Sequence, residues 1–374
     1  MDFEEHAAKP LLAAAGIAVP AGRVVTTAEA AASAADTLGA VVVKAQVPTG
    51  KRGKAGGIKI ADTADEARAA AKAILGMDIA GHSVERLLVE ERSTIEREFY
   101  AAVLNDAASK APMVLFSTLG GMDIEEAVEQ DPDQVRRHGV EIRAGFTAAD
   151  AAAMIAGLDL GGADAGEVAD ILEKLYVAYR DNDAELLEIN PLALTDAGVR
   201  ALDCKFTMDD SGIQRHIDLA EDGAPERMTA LEQRGKDIGI RYIELSGNVG
   251  LLANGAGLTM TTMDVIEHHG GKPANFLEIG GEAYTKAKPA LELVLANPRV
   301  KVLVINFCGA FARTDVMVEG LVDAWEDLKP TLPVFFSVRG TGEVEALALL
   351  KERLGITPHE TMDDAIRAAV EAAK

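Results

Sequence analysis

The sequence predicts a two-domain protein of the α/β and α+β classes, with a mixed sheet first and a doubly wound parallel sheet second. From about residue 238 onward, short apolar strands alternate with helices, which is typical of a parallel sheet covered by helices on both faces. Earlier, β-branched strands and alanine-rich helices alternate less regularly, which favours a mixed sheet. The 374 residues are enough for roughly two domains. We place them at 1–225 and 238–374, with a linker in the polar stretch 208–237.

Helix signals in the first domain come from apolar periodicity and from capping residues. A helical apolar pattern covers residues 5–15, and another covers 168–181. Two further helices are alanine-rich and begin at pairs with capping-box spacing. These pairs are Thr26 with Glu29 and Thr63 with Glu66, and the helices are expected to end at Gly39 and Gly76.

Strand signals are short runs rich in β-branched and other apolar residues. In the first domain they cover 40–46, 58–60, 87–90, 98–104, 113–117, 186–192 and 201–205. In the second domain they cover 242–245, 250–253, 274–279, 302–307 and 334–338, and a last helix starts at about residue 363.

The net charge and the lengths of the apolar stretches limit the kinds of partner that this protein can bind. The formal net charge of −23 argues against binding to nucleic acid or anionic membranes, because basic side chains supply that attraction. The first residues lack a basic region with an apolar run, and no apolar stretch reaches the ~20 residues of a membrane span. We therefore expect a cytoplasmic protein. Cys204 and Cys308 lie in apolar runs without metal-ligand spacing, and both are predicted to be buried free thiols.

Asn190 and Asp203 form the most informative pair of polar residues. They stand in short apolar runs that are predicted to be adjacent strands. Oxygen side chains on neighbouring strands suit Mg²⁺, which proteins usually hold with one or two groups while nucleotide phosphates supply the rest. A plain hairpin with polar residues facing the turn is the alternative.

Residues 47–57 combine four glycines with three cations between two predicted strands. Such a segment is suited to a flap that closes over nucleotide phosphates through backbone N–H groups and Lys/Arg charge. It lacks the ending of a P-loop, and a solvated basic hairpin is the alternative. Lys44 is placed to reach phosphates from the preceding strand, and Glu90 and Glu98 would border the hinge beneath the base.

Glycine turns recur in the second domain, at 247–250 with 254–257, at 309–312 and at 340–342. Glycines there let backbone amides approach an anion at a helix N-terminus. We expect these turns to gather at the carboxyl ends of the parallel strands, the usual ligand crevice of such sheets. His268 and His269 precede a Gly-Gly pair, so a helix-capping role is favoured over a catalytic pair.

Several motifs together resemble those of the succinate–CoA ligase β-subunit family, including divergent members such as malate–CoA ligase β subunits. They are Ala8-Lys9, Lys44-Ala45-Gln46, RGKAGG from Arg52, LLEINPLAL from Leu186, GNVGLLANGAG from Gly247 and GGKPANFLEIGG from Gly270.

The resemblance implies an ATP-grasp domain followed by a CoA-ligase-type, flavodoxin/Rossmann-like domain. It also implies that ATP or GTP, CoA and succinate or a related dicarboxylate yield acyl-CoA, nucleoside diphosphate and phosphate. A separate α subunit would bind CoA and carry the phosphorylated histidine.

The resemblance also implies roles for individual residues. Lys44, Lys51, Arg52, Gly53, Glu90, Ser93 and Glu98 would bind the nucleotide, Asn190 and Asp203 would bind Mg²⁺, Glu188 would orient the phosphohistidine, and Asn254, Ala310, Phe311 and Ala312 would bind the acid substrate.

This sequence departs from the family pattern in its substrate loop. Where the family usually reads Phe-Gly-Gly-Ile, this chain has Cys308-Gly309-Ala310-Phe311, so Phe311 is expected to reshape the carboxylate pocket. Two other functions remain open from the residues. One is an ATP-grasp carboxylate–amine ligase that works through an acyl phosphate, and the other is a non-catalytic paralogue that acts as a nucleotide sensor or scaffold.

Overall fold

The computed structural model describes residues 1–224, 227–279 and 286–374. The chain divides into two compact units, Met1–Glu226 and Arg227–Lys374. Each unit has its own sheets and its own apolar cores.

The first unit contains two main antiparallel sheets flanked by helices. The prediction of one mixed sheet was wrong, because the alternation of strands and helices does not by itself set the direction in which strands pair. Short 3₁₀ turns cover Pro132–Gln134 and Asp210–Arg215. In chain order its elements are α1 (Glu5–Ala14), β1 (Gly22–Val25), α2 (Ala28–Leu38), β2 (Val41–Gln46), β3 (Ile58–Ala61), α3 (Ala64–Ile74), β4 (Asp78–Ile79), β5 (His82–Ser83), β6 (Arg86–Glu91), β7 (Ile95–Asp106), β8 (Ala111–Ser117), α4 (Ile124–Gln130), β9 (Val135–Gly139), α5 (Ala148–Ile155), α6 (Ala165–Asp181), β10 (Ala184–Thr195), β11 (Gly198–Ala201), β12 (Lys205–Met208) and α7 (Ile217–Ala220).

The smaller sheet has the strand order β1-β6-β2-β3. Helices α2 and α3 pack on it through buried alanines such as Ala31, Ala35 and Ala71. Alanine both favours the helix and allows close packing, because it loses no side-chain entropy and has little bulk.

The larger sheet has the order β11-β10-β7-β8-β9. Strand β12 pairs with the first part of β10, before the part that pairs with β11. Successive side chains along each strand point to opposite faces of this sheet, because a β-strand is pleated. Phe99 and Ala101 of β7 and Ile189 of β10 face the main core beneath α1, α5 and α6. Their neighbours Tyr100 and Glu188 therefore face the opposite side of the sheet.

The second unit is built around parallel strands. A π-helical turn at Leu350–Leu354 directly continues its second-to-last helix. Its elements are α8 (Ala230–Asp237), β13 (Tyr242–Glu244), β14 (Val249–Ala253), α9 (Ala256–His268), β15 (Asn275–Leu277), α10 (Ala287–Ala296), β16 (Val302–Gly309), α11 (Thr314–Leu328), β17 (Val334–Gly340), α12 (Glu343–Leu349) and α13 (Met362–Ala373).

The predicted doubly wound sheet is confirmed. Strands β14, β16 and β17 pair in parallel. Leu303 and Ile305 of β16 pack against α10 and α11, whereas Val302 and Val304 pack against α9 and α13. Helices thus cover both faces, because consecutive side chains of a strand point to opposite sides.

Strands β13 and β15 form a separate antiparallel pair beside this sheet. The sequence predicted both strands but not their antiparallel pairing. Strand β15 contacts β14 through the buried amide of Asn275. Its Nδ2 donates to Leu251 O at 2.9 Å, and its Oδ1 accepts from Leu251 N at 3.1 Å. One side chain thus satisfies two buried backbone groups of β14.

Other predictions about local structure were also wrong. The predicted strand 201–205 is interrupted, because β11 ends at Ala201 and β12 begins at Lys205. The cap of α2 is Thr27 rather than Thr26, because Thr27 accepts the N–H of Ala30. The predicted linker 208–237 contains helical turns and all of α8, since apolar contacts of the second unit include Leu231. Cys308 is exposed although Cys204 is buried, because β16 ends at the surface.

Among the residues that the structure describes, no helix combines the length and the apolar composition that a membrane span requires.

Replacing Asn275 by alanine should lower the free energy of unfolding of the second unit by about 1–3 kcal/mol for each backbone group of Leu251 left unpaired. Urea denaturation followed by fluorescence would measure the loss. Gln233→Ala is the control, since Gln233 is exposed on α8 and bonds only to Asp237 within the described residues. Equal stability of the two variants would contradict this role of Asn275.

Candidate functional site

A cavity of about 580 Å³ lies in the first unit and is lined by both of its main sheets and by the flap. This volume is in the range of small-molecule sites. Every residue of this unit that the sequence analysis proposed for ligand binding or catalysis lines it. They are Lys44, Lys51, Arg52, Gly53, Glu90, Ser93, Glu98, Glu188, Asn190 and Asp203.

Asn190 anchors a loop at the rim of the cavity. Its Nδ2 donates to Met122 O at 2.8 Å, and its Oδ1 accepts the N–H of Gly121 at 2.9 Å. Gly121 has φ +70°, and a Cβ there would come within 2.3 Å of Oε2 of Glu98. The backbone angle favours glycine at this position, and any larger residue would also have to displace the carboxylate of Glu98.

Asp203 lies between β11 and β12 and points toward the flap. Its Oδ1 accepts the N–H of Cys204 at 2.7 Å and Nη2 of Arg52 at 2.6 Å. Arg52 is 6% exposed, so the alternative of a solvated basic hairpin is wrong for this residue. Lys51 remains exposed and pairs with Asp123 at 2.9 Å.

The guanidinium of Arg52 belongs to a buried ion cluster that α1 completes. Glu5 of α1 contacts Lys44 Nζ at 2.9 Å through Oε1, and its Oε2 lies 2.8 Å from Nη1 of Arg52, outside hydrogen-bond geometry. Lys9, one turn further along α1, donates to both oxygens of Glu90 at 2.6 and 2.7 Å. We refer to Glu5, Lys9, Lys44, Arg52, Glu90 and Asp203 as the ion cluster.

The ion cluster favours the charged forms of Glu5 and Lys44. Burial alone would raise the pKa of Glu5, but Lys44, Lys9 and Arg52 outweigh it and hold that pKa well below its ordinary value. Burial alone would lower the pKa of Lys44, but the carboxylates of Glu5 and Glu90 outweigh it and raise that pKa. Buried charges persist because each one is paired.

Lys44 and Glu90 therefore have partners that the sequence did not indicate. The ammonium of Lys44 lies 2.6 Å from Glu90 and 2.6 Å from Leu202 O, while its side chain lines the cavity. Glu90 is 2% exposed and binds lysines.

Glu188 lies on the cavity face of β10. It is the register partner of Lys205 on β12, and its Oε2 accepts the hydroxyl of Tyr100 at 2.9 Å. Burial raises the pKa of Glu188, an effect that the Tyr100 hydrogen bond and Lys205 oppose. The cavity therefore contains the partly buried carboxylate of Glu188, one oxygen of which is hydrogen-bonded to Tyr100.

The remaining polar wall includes Ser93, whose Oγ is buried without a hydrogen-bond partner within the described ranges. The apolar wall includes Val42, Ile58 and Ile60, and the Ile60 side chain is 63% exposed. An exposed aliphatic wall beside a polar one suits a ligand with a flat apolar part and charged groups.

Sequence reasoning missed several residues of this site, namely Glu5, Lys9, Tyr100, Gly121 and Asp123. A weak signal existed for the first two, since Glu5 and Lys9 have the i, i+4 spacing of a helical ion pair. Tyr100 appeared only as a member of a predicted strand, because its partner is 88 positions away.

Asn190 and Asp203 fit a hard divalent cation by the chemistry of their donors. Both offer oxygen ligands to the same cavity. In the described part of the chain, no three His, Cys, Asp or Glu side chains form a cluster of their own. The pair thus matches a site in which phosphate oxygens complete the coordination of Mg²⁺.

The predicted substrate residues lie in the second unit, at the carboxyl ends of β14 and β16. Asn254 donates to Cys308 O at 2.9 Å and accepts the N–H of Cys308 at 2.8 Å. Ala310 and Phe311 are exposed, Phe311 fully, and Ala312 is half-buried.

Three glycine turns meet at this edge, as predicted. Thr341 N donates to Gly309 O at 3.1 Å, and Thr314 N donates to Thr341 O at 2.8 Å. The prediction was wrong for residues 247–248. They follow β13, but they lie at the amino end of β14 and not at the carboxyl end of a parallel strand. The helix-end position of His268 and His269 is confirmed, and His269 contacts Asp363 at 2.7 Å.

Comparison with known families and proteins agrees with this arrangement. The ATP-grasp domain family matches residues 2–194, and the CoA-ligase family matches residues 252–370. The ADP-forming succinate–CoA ligase subunit beta of Rubrobacter xylanophilus is 44% identical over 379 aligned residues, which cover 100% of this chain and 99% of the relative. The chain belongs to the succinate–CoA ligase β-subunit family.

Other members of this family and one solved structure are also similar. The GDP-forming succinate–CoA ligase subunit beta of Thermus thermophilus is 42% identical over 94% of this chain and 93% of its own. The structure of ATP citrate lyase from Methanothrix soehngenii, in complex with citrate and coenzyme A, has a TM-score of 0.72 and covers 99% of both chains. It is 22% identical, so it shows the fold.

Glu5→Gln should lower the free energy of unfolding of the first unit by about 3–5 kcal/mol, because it breaks a buried set of ion pairs. The folded-state pKa of Glu5 lies below its ordinary value of 4.5, so this contribution is present above that pH and disappears as pH falls through the folded pKa. The difference between wild type and Glu5→Gln should therefore shrink in acid, as measured by denaturant titration at several pH values.

Glu29→Gln is the matched control, since Glu29 is an exposed residue in the first turn of α2. It should change stability by less than about 0.5 kcal/mol. A Glu5→Gln effect as small as this, or one that grows in acid, would refute the structural importance of the ion cluster.

Proposed function

We propose that the chain is the nucleotide-binding β subunit of an acid–CoA ligase that acts through a phosphohistidine on a separate α subunit. The observation that carries the proposal is one cavity that gathers a cationic flap, two oxygen ligands for a metal and the carboxylate of Glu188. The reaction would convert ATP or GTP, CoA and succinate or a related dicarboxylate into acyl-CoA, nucleoside diphosphate and phosphate.

In this proposal the cavity binds the nucleotide with its phosphates toward the flap. Lys44, Lys51 and Arg52 offer positive charge, and Gly53 lets the backbone approach a phosphate. Ser93 and Glu98 also line the cavity and are assigned to the nucleoside. Glu90 would act through Lys44, whose ammonium it contacts.

Asn190 and Asp203 would hold Mg²⁺, which supplies charge stabilisation to the transferring phosphoryl group when bound. The guanidinium of Arg52 donates a hydrogen bond to Oδ1 of Asp203. In this proposal its positive charge lies beside the metal ligand and helps to stabilise the phosphoryl group. Phosphoryl transfer depends mostly on positioning and on such electrostatic stabilisation.

Glu188 would orient the histidine of the partner subunit during phosphoryl transfer. Its carboxylate lines the cavity and can accept an imidazole N–H. The relatives are named as subunits beta, which supports an α subunit as the partner. A cytoplasmic location belongs to the same proposal and is supported by two free cysteines.

Asn254, Ala310, Phe311 and Ala312 would bind the acid substrate at the carboxyl edge of the parallel sheet. The glycine turns there offer backbone N–H groups at helix N-termini, which favour a carboxylate. The exposed ring of Phe311 would set which dicarboxylate is accepted.

The reaction is tested by expressing the chain with an α subunit and measuring phosphate release with nucleotide, CoA and each dicarboxylate, ATP and GTP being compared directly. Release that depends on CoA and on one dicarboxylate is the expected result. Turnover without CoA would favour a carboxylate–amine ligase instead, an alternative that the CoA-ligase match over residues 252–370 disfavours.

Asp203→Asn should reduce phosphorylation of the α subunit by γ-labelled nucleotide roughly 100-fold or more, because it removes the charged metal ligand but keeps the shape. Autoradiography of the partner measures the effect. Asp196→Asn, at the exposed turn between β10 and β11, is the control and should label normally. Undiminished labelling of Asp203→Asn would remove Asp203 from the metal site.

A further inference from the structure

Tyr100 is a cavity residue to which neither the sequence motifs nor the family comparison assigned a role. It lies on β7, is 2% exposed and lines the cavity. Its hydroxyl donates to Oε2 of Glu188 at 2.9 Å. Within the described residues, the other carboxylate oxygen of Glu188, Oε1, accepts no hydrogen bond.

The contact follows from strand register. Glu188 of β10 pairs with Ala102 of β7, and Tyr100 lies two residues before Ala102 on the same strand. Residues two apart on a strand share a face, so Tyr100 and Glu188 are diagonal neighbours across the pair. The register of β7 and β10 therefore places the hydroxyl of Tyr100 within hydrogen-bond distance of the Glu188 carboxylate.

The tyrosine ring is itself fixed. It packs in a small apolar cluster with Ala102 and Leu115, against which Ile124 also lies. Burial and the neighbouring Glu188 carboxylate raise the pKa of Tyr100, so the phenol stays protonated and acts as a donor. A rigid ring that carries a permanent donor is suited to orienting an acceptor.

We propose that Tyr100 is a positioning residue that holds Oε2 of Glu188 and thereby aims Oε1 at the imidazole N–H of the partner's histidine. The inference rests on the proposed role of Glu188 in phosphoryl transfer. A carboxylate fixed before the histidine arrives has less rotational freedom to lose, and misplacement of such a group costs up to about 100-fold in rate.

Tyr100→Phe in the complex with the α subunit tests the proposal. The variant removes one oxygen and keeps the ring in its apolar cluster. The single-turnover rate of phosphoryl transfer to the histidine should fall about 10–100-fold. The KM for nucleotide should change by less than about twofold, because Tyr100 acts on Glu188 and not on the nucleotide.

Tyr179→Phe is the matched control. Tyr179 lies on α6, is 5% exposed and donates its hydroxyl to Asn105, away from the cavity. The Tyr179→Phe variant loses a buried tyrosine hydrogen bond of the same kind, and it should transfer phosphate at the wild-type rate. An unchanged rate in Tyr100→Phe, or an equal fall in both variants, would overturn the proposal.

A crystal structure of the Tyr100→Phe chain gives a readout that needs no activity. The Glu188 carboxylate should show one orientation in the wild type and a changed or multiple orientation in the variant. The same single orientation in both would overturn the positioning role. If the wild-type complex labels no histidine, the proposed function fails, whereas the crystallographic comparison still decides whether Tyr100 positions Glu188.

Discussion

The buried ion cluster is the interaction on which the cavity of the first unit depends. It joins the N-terminal helix, the smaller sheet, the flap and the segment before β12, which are distant in the chain: Arg52 and Asp203 are 151 positions apart, and Lys9 and Glu90 are 81. Loss of one partner would leave a buried charge uncompensated, so the elements are held in one arrangement. Four members of the ion cluster, Lys44, Arg52, Glu90 and Asp203, also line the cavity, so the same ion pairs hold part of its wall in place.

The two faces of the larger sheet have different roles: one packs in the apolar core, and the other lines the cavity. Phe99, Ala101 and Ile189 bury one face against helices, whereas Tyr100 and Glu188 use the other face to shape the cavity. A shift of one residue in register would exchange the two sets, so the apolar core fixes the positions of the polar groups. The hydrogen bond between Tyr100 and Glu188 is a direct result of this register.

Sequence patterns predicted most strands and the parallel sheet with helices on both faces, and the sequence also indicated many of the residues that share the cavity. The errors arose where local signals were ambiguous. Thr26 and Thr27 are adjacent threonines, and only the chain direction at the helix start decides which one caps α2. The polar sequence of α8 suggested a linker, although it contributes Leu231 to the core of the second unit. Cys308 follows buried residues but lies where β16 reaches the surface.

By itself, the sequence determined the family, the parallel sheet of the second unit and the glycine turns. It also proposed Asn190, Asp203 and Glu188 as site residues, and these three line one cavity. Tertiary structure alone decided that Arg52 of the flap is buried against Asp203 and that Tyr100 holds Glu188. The reason is physical: periodicity and turn chemistry act over a few neighbouring residues, whereas charge pairing and burial depend on segments brought together by the completed fold.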